Sequence, residues 1–111
     1  MTTLQQRLRA ALPVAIKARD KPAVSALRSA LAAIDNAAAV PHRDSEFGLA
    51  TVGLGSTEVA RRDQDETEIV RIVRAEIADR LAAADEYERL NRAEPAEQKR
   101  VEARALQAHL D

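Results

Sequence analysis

Cysteine is absent from this chain, and disulfides, thiolate catalysis and zinc–thiolate sites are excluded with it. A reducing, cytoplasmic location fits that composition. No apolar run approaches the roughly 18 to 20 residues needed to span a bilayer. The opening MTTLQQRLRAALPVAIKARD carries charges through its apolar positions, so it reads as an amphipathic helix and not as a signal peptide. Aromatics are limited to Phe47 and Tyr87, while alanine is everywhere. The core must therefore be aliphatic, and its helices can approach one another closely. Glycine occurs three times, all between Gly48 and Gly55, which leaves the rest of the chain free for regular structure. At 111 residues the chain makes one domain, 1–111, large enough for a core without covalent or metal support.

The charge is close to balanced, at −1, but unevenly spread. Through Asn36 the basic residues Arg7, Arg9, Lys17, Arg19, Lys21 and Arg28 face only Asp20 and Asp35, a local balance of +4 that leaves −5 for the remainder. Such a basic segment can attract a polyanion, with Arg7, Lys17, Arg19, Lys21 and Arg28 as candidate contacts, or it can complement the acidic part within the fold.

Apolar periodicity predicts four helices. Leu4, Leu8, Ala11, Leu12, Ala15 and Ile16 fall on one helical face, interrupted by Pro13, which should kink the helix or restart it. A turn at Arg19 to Lys21 follows. There Pro22 suits a first helical position, and the proline pushes Lys21 out of helical geometry. The second helix presents Val24, Leu27, Leu31 and Ile34, so residues 3–38 should form an antiparallel hairpin.

Over 39–64 the periodicity stops, and Pro41, Gly48, Gly53 and Gly55 mark a long irregular loop. Its Phe47, Leu49, Val52 and Leu54 can dock on the bundle, and Ala50 to Val52 can form a short extended piece. Asp65 with Glu68 forms a capping arrangement for a third helix that runs to about Leu90. Asn91 can take the left-handed conformation that ends it, and Pro95 can start a fourth helix carrying Val101, Ala105, Leu106 and Leu110. The expected fold is all-α, two antiparallel helical hairpins (3–38 and 65–110) in a four-helix-bundle-like arrangement.

Catalytic motifs fail on inspection. Gly53-Leu54-Gly55 has Glu58 where a dinucleotide fingerprint needs its third glycine, and no strand precedes it. Gly48 and Gly53 have the outer spacing of a phosphate loop, but Leu54 replaces its lysine. His42 and His109 show no ligand spacing, and no serine has the lysine company of an amidase. No catalytic residue, cofactor or metal is expected.

What remains is a polar set beside the helical stripes: Arg28, Asn36, Glu76, Arg80, Tyr87 and Glu102. Glu76 and Arg80 lie one turn apart inside the stripe of Ile69, Ile72, Val73, Ile77, Leu81, Ala84 and Tyr87. The preferred reading is structural: Glu76 and Arg80 pair, and the set fixes the register of the hairpins. The alternative is a recognition patch gathered around a partner's carboxylate or phosphate.

These residues also carry a resemblance. LRAALPVAIKARDKPAVSALRSALAAIDNAAA is similar to the opening hairpin of the bacterial GatB/YqeY-like family, with its basic-acidic turn KARD and a second helix of the form LR…L.AI.NA. IVRAEIADRLAAADEYERLNRAEPAEQKRVEARALQAHL resembles the family's second hairpin. Leu27, Arg28, Asn36, Glu76, Arg80, Tyr87 and Glu102 occupy its patterned positions. The resemblance covers both hairpins and departs from the family at Pro13 and at the long loop.

The resemblance implies the N-terminal helical domain alone, with Asp111 falling where that domain would finish, before a tail shared with the B subunit of tRNA-dependent amidotransferases. Those enzymes use glutamine as nitrogen donor. It implies a non-catalytic accessory module in tRNA metabolism, with tRNA or a tRNA-processing protein as partner. The other readings are a protein-interaction or assembly module without an RNA role and, third, an amidotransferase-type enzyme acting through Glu76 and its neighbours.

Overall fold

The computed structural model describes residues 2–48 and 65–110, with side chains over 2–39 and 65–110. Among these residues it is all-helical, with α1 (Leu4–Lys17), α2 (Lys21–Gly48), α3 (Glu66–Arg89) and α4 (Ala93–Gln107). None of these helices is long and apolar enough to cross a membrane.

Helix α1 opens on a capping box: Thr3 Oγ1 accepts from the Gln6 N–H at 3.2 Å, and Gln6 Oε1 accepts from the Thr3 N–H at 2.9 Å. Its first amide is also held from outside, because both carboxylate oxygens of Glu66 on α3 accept from the Leu4 N–H, at 3.0 and 3.3 Å. The two hairpins are thus tied at the start of α1. The helix passes through Pro13 without restarting. Leu4, Leu8 and Ala15 are buried in one phase across it, but Ile16, expected on the same face, is exposed.

Residues 18–20 reverse the chain. The Asp20 N–H donates to Ala15 O and the Arg19 N–H to Ile16 O, both at 3.0 Å, with Arg19 at φ 59°. These paired bonds satisfy the last carbonyls of α1, and they need a residue in the left-handed region, here an arginine. Lys21 is helical, against expectation. Asp20 explains this: its carbonyl accepts from Val24 N–H at 3.0 Å and its Oδ1 from Ala23 N–H at 3.3 Å, closing the first turn around Lys21 and Pro22. The missing N–H of Pro22 falls among donors that have no helical partner anyway. Helix α2 then continues to Gly48, ten residues beyond the expected end at 38. Ala37 to Ala39 are strong helix formers, and the helix runs on past the stop signal read from Pro41. The readings for Phe47 as a docking side chain, for Leu49, Val52 and Leu54, and for a strand at Ala50 to Val52 lie outside the described residues.

Asp65 caps α3 by accepting from the Glu68 N–H at 2.9 Å, but Glu68 does not complete the reciprocal box. Its carboxylate turns to Arg71, at 2.5 and 3.0 Å. The α3–α4 turn repeats the first one: Arg92 N–H donates to Tyr87 O at 2.9 Å and Asn91 N–H to Glu88 O at 3.0 Å, with Asn91 at φ 61° as expected. Helix α4 starts at Ala93, two residues before the expected Pro95, because a proline is also tolerated within the first turn.

The core joins Leu4 and Leu8 of α1, Ala26, Leu27, Ala30 and Ile34 of α2, Ile69, Ile72, Val73 and Ile77 of α3, and Ala103 and Leu106 of α4. Helix α2 packs on all three other helices, and its fully buried Ala26 and Ala30 let them come close. The backbones of α1 and α4 stand further apart than those of the other helix pairs, except that α1 approaches α3 only in part, and a groove opens between them.

Candidate functional site

Three helices meet at a buried polar cluster. Arg80 on α3 donates from Nη1 to Glu76 Oε1 at 2.9 Å and from Nε to Glu102 Oε1 of α4 at 3.1 Å. Glu102, only 3% exposed, also accepts from Lys99 Nζ at 3.4 Å and Gln98 Nε2 at 3.3 Å. From α2, the Ser29 hydroxyl donates to Glu76 Oε1 at 2.7 Å. Two carboxylates thus meet two cations, and no buried side-chain polar atom among the described residues lacks a partner. The arrangement is charge-balanced and internally satisfied, which suits a lock between helices better than a site that must exchange protons or bind a charged ligand.

The structure brings together Glu76, Arg80 and Glu102 of the expected set. No hydrogen bond or ion pair joins Arg28, Asn36 or Tyr87 to them among the described residues; Tyr87 instead lies beneath the Arg92 guanidinium, 5.5 Å from its ring centre. Sequence reasoning missed Ser29, Gln98 and Lys99. Gln98 and Lys99 stand four and three residues before Glu102, a spacing that places them on its helical face and that was readable in advance.

The basic residues divide. Arg7 is used inside the fold, donating from Nη1 to Thr2 O at 2.8 Å and from Nη2 to His109 O at 2.9 Å, where it binds the last carbonyls beyond α4. Arg9 reaches Asp35 at 4.0 Å. Lys17, Arg19, Lys21 and Arg28 have no ion-pair partner among the described residues, and they lie at or near the α1–α2 turn. Three of them line one open groove of about 590 Å³: Arg19 from the turn, and Lys21 and Arg28 from α2, with Ile16, Val24 and Ser25 between them. On α2 the lining positions 21, 24, 25 and 28 are a single helical face. Asp20, the one acid in the turn, lines the other groove and caps α2.

That second groove, about 370 Å³, separates α1 from α4 and is walled by Val14, Ala15, Ala18, Leu27, Ala105 and His109, among others. Burial, and then the nearby Arg7 guanidinium, hold the His109 imidazole below its ordinary pKa. The folded state therefore prefers neutral His109. Its contribution is complete above the unfolded value near 6.5 and is lost as pH falls through the lower folded value. Thermal melts from pH 7.5 down to 5.5 should show the wild type losing stability faster than a His109→Gln variant; parallel curves would show that His109 is not linked to folding.

Arg19 sits in a conformation that costs a non-glycine residue about 1 kcal/mol or more. Arg19→Gly should therefore raise stability by about 1 kcal/mol in denaturant titrations. A stabilising change at this position would mean that the arginine is kept for something other than the turn.

Among the described residues no group of three or more histidine or acidic side chains is placed to hold a metal ion. Comparisons with protein-family models, with curated proteins and with solved structures find no match to this chain.

Proposed function

We propose that this chain is a non-catalytic helical module of the GatB/YqeY-like type, which binds tRNA through the basic groove at its α1–α2 turn. The observation that carries the reading is the set of three cations, Arg19, Lys21 and Arg28, lining one open groove without an ion-pair partner among the described residues. Unpaired cations gathered on one surface are the electrostatic footprint of a polyanion site, and phosphates are its most common occupant. The resemblance of both hairpins to the family supplies tRNA as the polyanion and amidotransferase chemistry as the context. In that context the module holds RNA while an enzyme elsewhere does the chemistry, because the buried Glu76–Arg80–Glu102 cluster is already satisfied from within.

A gel shift with bulk tRNA at low salt tests this. Binding is expected for the wild type and for an Arg74→Glu control on the exposed side of α3, and it should be lost in Lys21→Glu/Arg28→Glu. Absence of a shift, or a shift that ignores the double reversal, would refute it.

The second reading, a protein-interaction module, is favoured by one observation: Val14 and Ile16 on α1 are 68% and 47% exposed, each lining one of the two grooves. A partner protein recovered with the wild type from cell extract after nuclease treatment, and lost with Val14→Glu, would favour it over RNA.

A further inference from the structure

We infer that the groove at the α1–α2 turn is built for an unpaired RNA strand, held by its phosphates and with little regard to base identity. The inference rests on the RNA-binding reading and narrows it. The groove is concave, and its lining is mixed: Arg19, Lys21 and Arg28 carry charge, Ser25 a hydroxyl, and Ile16 and Val24 only hydrocarbon.

Such a surface has two halves with different demands. The cations need phosphates, which any nucleic acid offers. The exposed Ile16 and the half-buried Val24 need an apolar face to cover them. The outside of a duplex shows phosphates and sugars but keeps its base faces in the stack, so it satisfies the first demand and leaves the second unmet. An unpaired strand can turn a base face onto the aliphatic floor while its backbone follows the cations.

Base identity is weakly read for a reason of composition. Among the lining residues there is no asparagine, glutamine, aspartate or glutamate to read adenine or cytosine and no aromatic platform, and the Arg19, Lys21 and Arg28 groups that could read guanine are engaged by the phosphates. Tyr87 lies at the α3–α4 turn beneath Arg92. The planar guanidiniums of Arg19 and Arg28 can lie on any base.

Fluorescence anisotropy with the full chain tests the inference, using short oligo(U), oligo(A) and oligo(C), an A·U duplex of the same length, and tRNA as reference. The three single strands should bind within about threefold of one another, and the duplex about tenfold or more weaker. Affinity for single strands should fall with log salt at a slope of about −2, the value for three single-strand phosphates. Ile16→Ser, at an exposed position, removes the hydrocarbon without adding charge and should weaken single-strand binding by about tenfold while weakening duplex binding by less than about threefold. Equal binding of duplex and single strand, or a preference of about tenfold or more for one homopolymer, would overturn the inference while leaving RNA binding in place. No binding of any RNA, tRNA included, would remove the RNA-binding reading and this inference together.

Discussion

Replacing Arg80 with alanine should destabilise the domain by about 3 kcal/mol, at the lower end of the range for breaking a buried ion pair, and lower Tm on the order of 15 °C. The size of the effect comes from what is left behind. Glu102 is 3% exposed and Glu76 18%, so both carboxylates would lose a charge-assisted partner with little water to replace it. Lys99, 34% exposed and 3.4 Å from Glu102, moderates the loss. The double variant Glu76→Ala/Arg80→Ala should cost less than the sum of the two single replacements, since the pair is removed together. Urea titrations of the four proteins read this directly. A change below about 1 kcal/mol for Arg80→Ala would mean that the cluster does not hold the helices together.

Leu8→Ala should have an effect of similar size, about 2 to 5 kcal/mol by urea titration. Leu8 is fully buried, and α1 packs mainly against α2, with a smaller contact to α3. The proline within α1 sharpens the dependence, because a helix lacking one internal bond relies more on its packed face. A cost under about 1 kcal/mol would show that α1 is not anchored in the core.

Much of this architecture was readable because local signals and apolar period agreed. Asn91 and Asp65 do at their helix ends what their chemistry allows, and Val24, Leu27, Leu31 and Ile34 mark the buried or half-buried side of α2. Two misreadings are of local stop and cap signals, whereas Ile16 and Leu81 have the period of a buried face and are exposed. Pro41 suggests an end to α2, but the helix runs on to Gly48. Glu68 had the spacing of a capping box, but Arg71 three residues later offered a charged partner.

The candidate site was less legible, since which cations remain unpaired is a tertiary fact. Arg7 and Arg28 look alike in sequence. One is used to hold the carbonyl of His109, 102 positions away, and the other opens onto a groove. Likewise Glu76 and Arg80 announced their pairing by spacing, whereas Ser29 from α2 could be assigned to them only once the helices were packed.

The central claim is that the basic groove, and not the buried polar cluster, is the working surface. The most direct measurement is an NMR titration of the isotope-labelled chain with tRNA at low salt, following backbone amides. Perturbations concentrated on Ile16, Arg19, Lys21, Val24, Ser25 and Arg28, with Glu76, Arg80 and Glu102 unmoved, are the result this account predicts. Perturbations centred on Glu76, Arg80 and Glu102, or none at all, would contradict it.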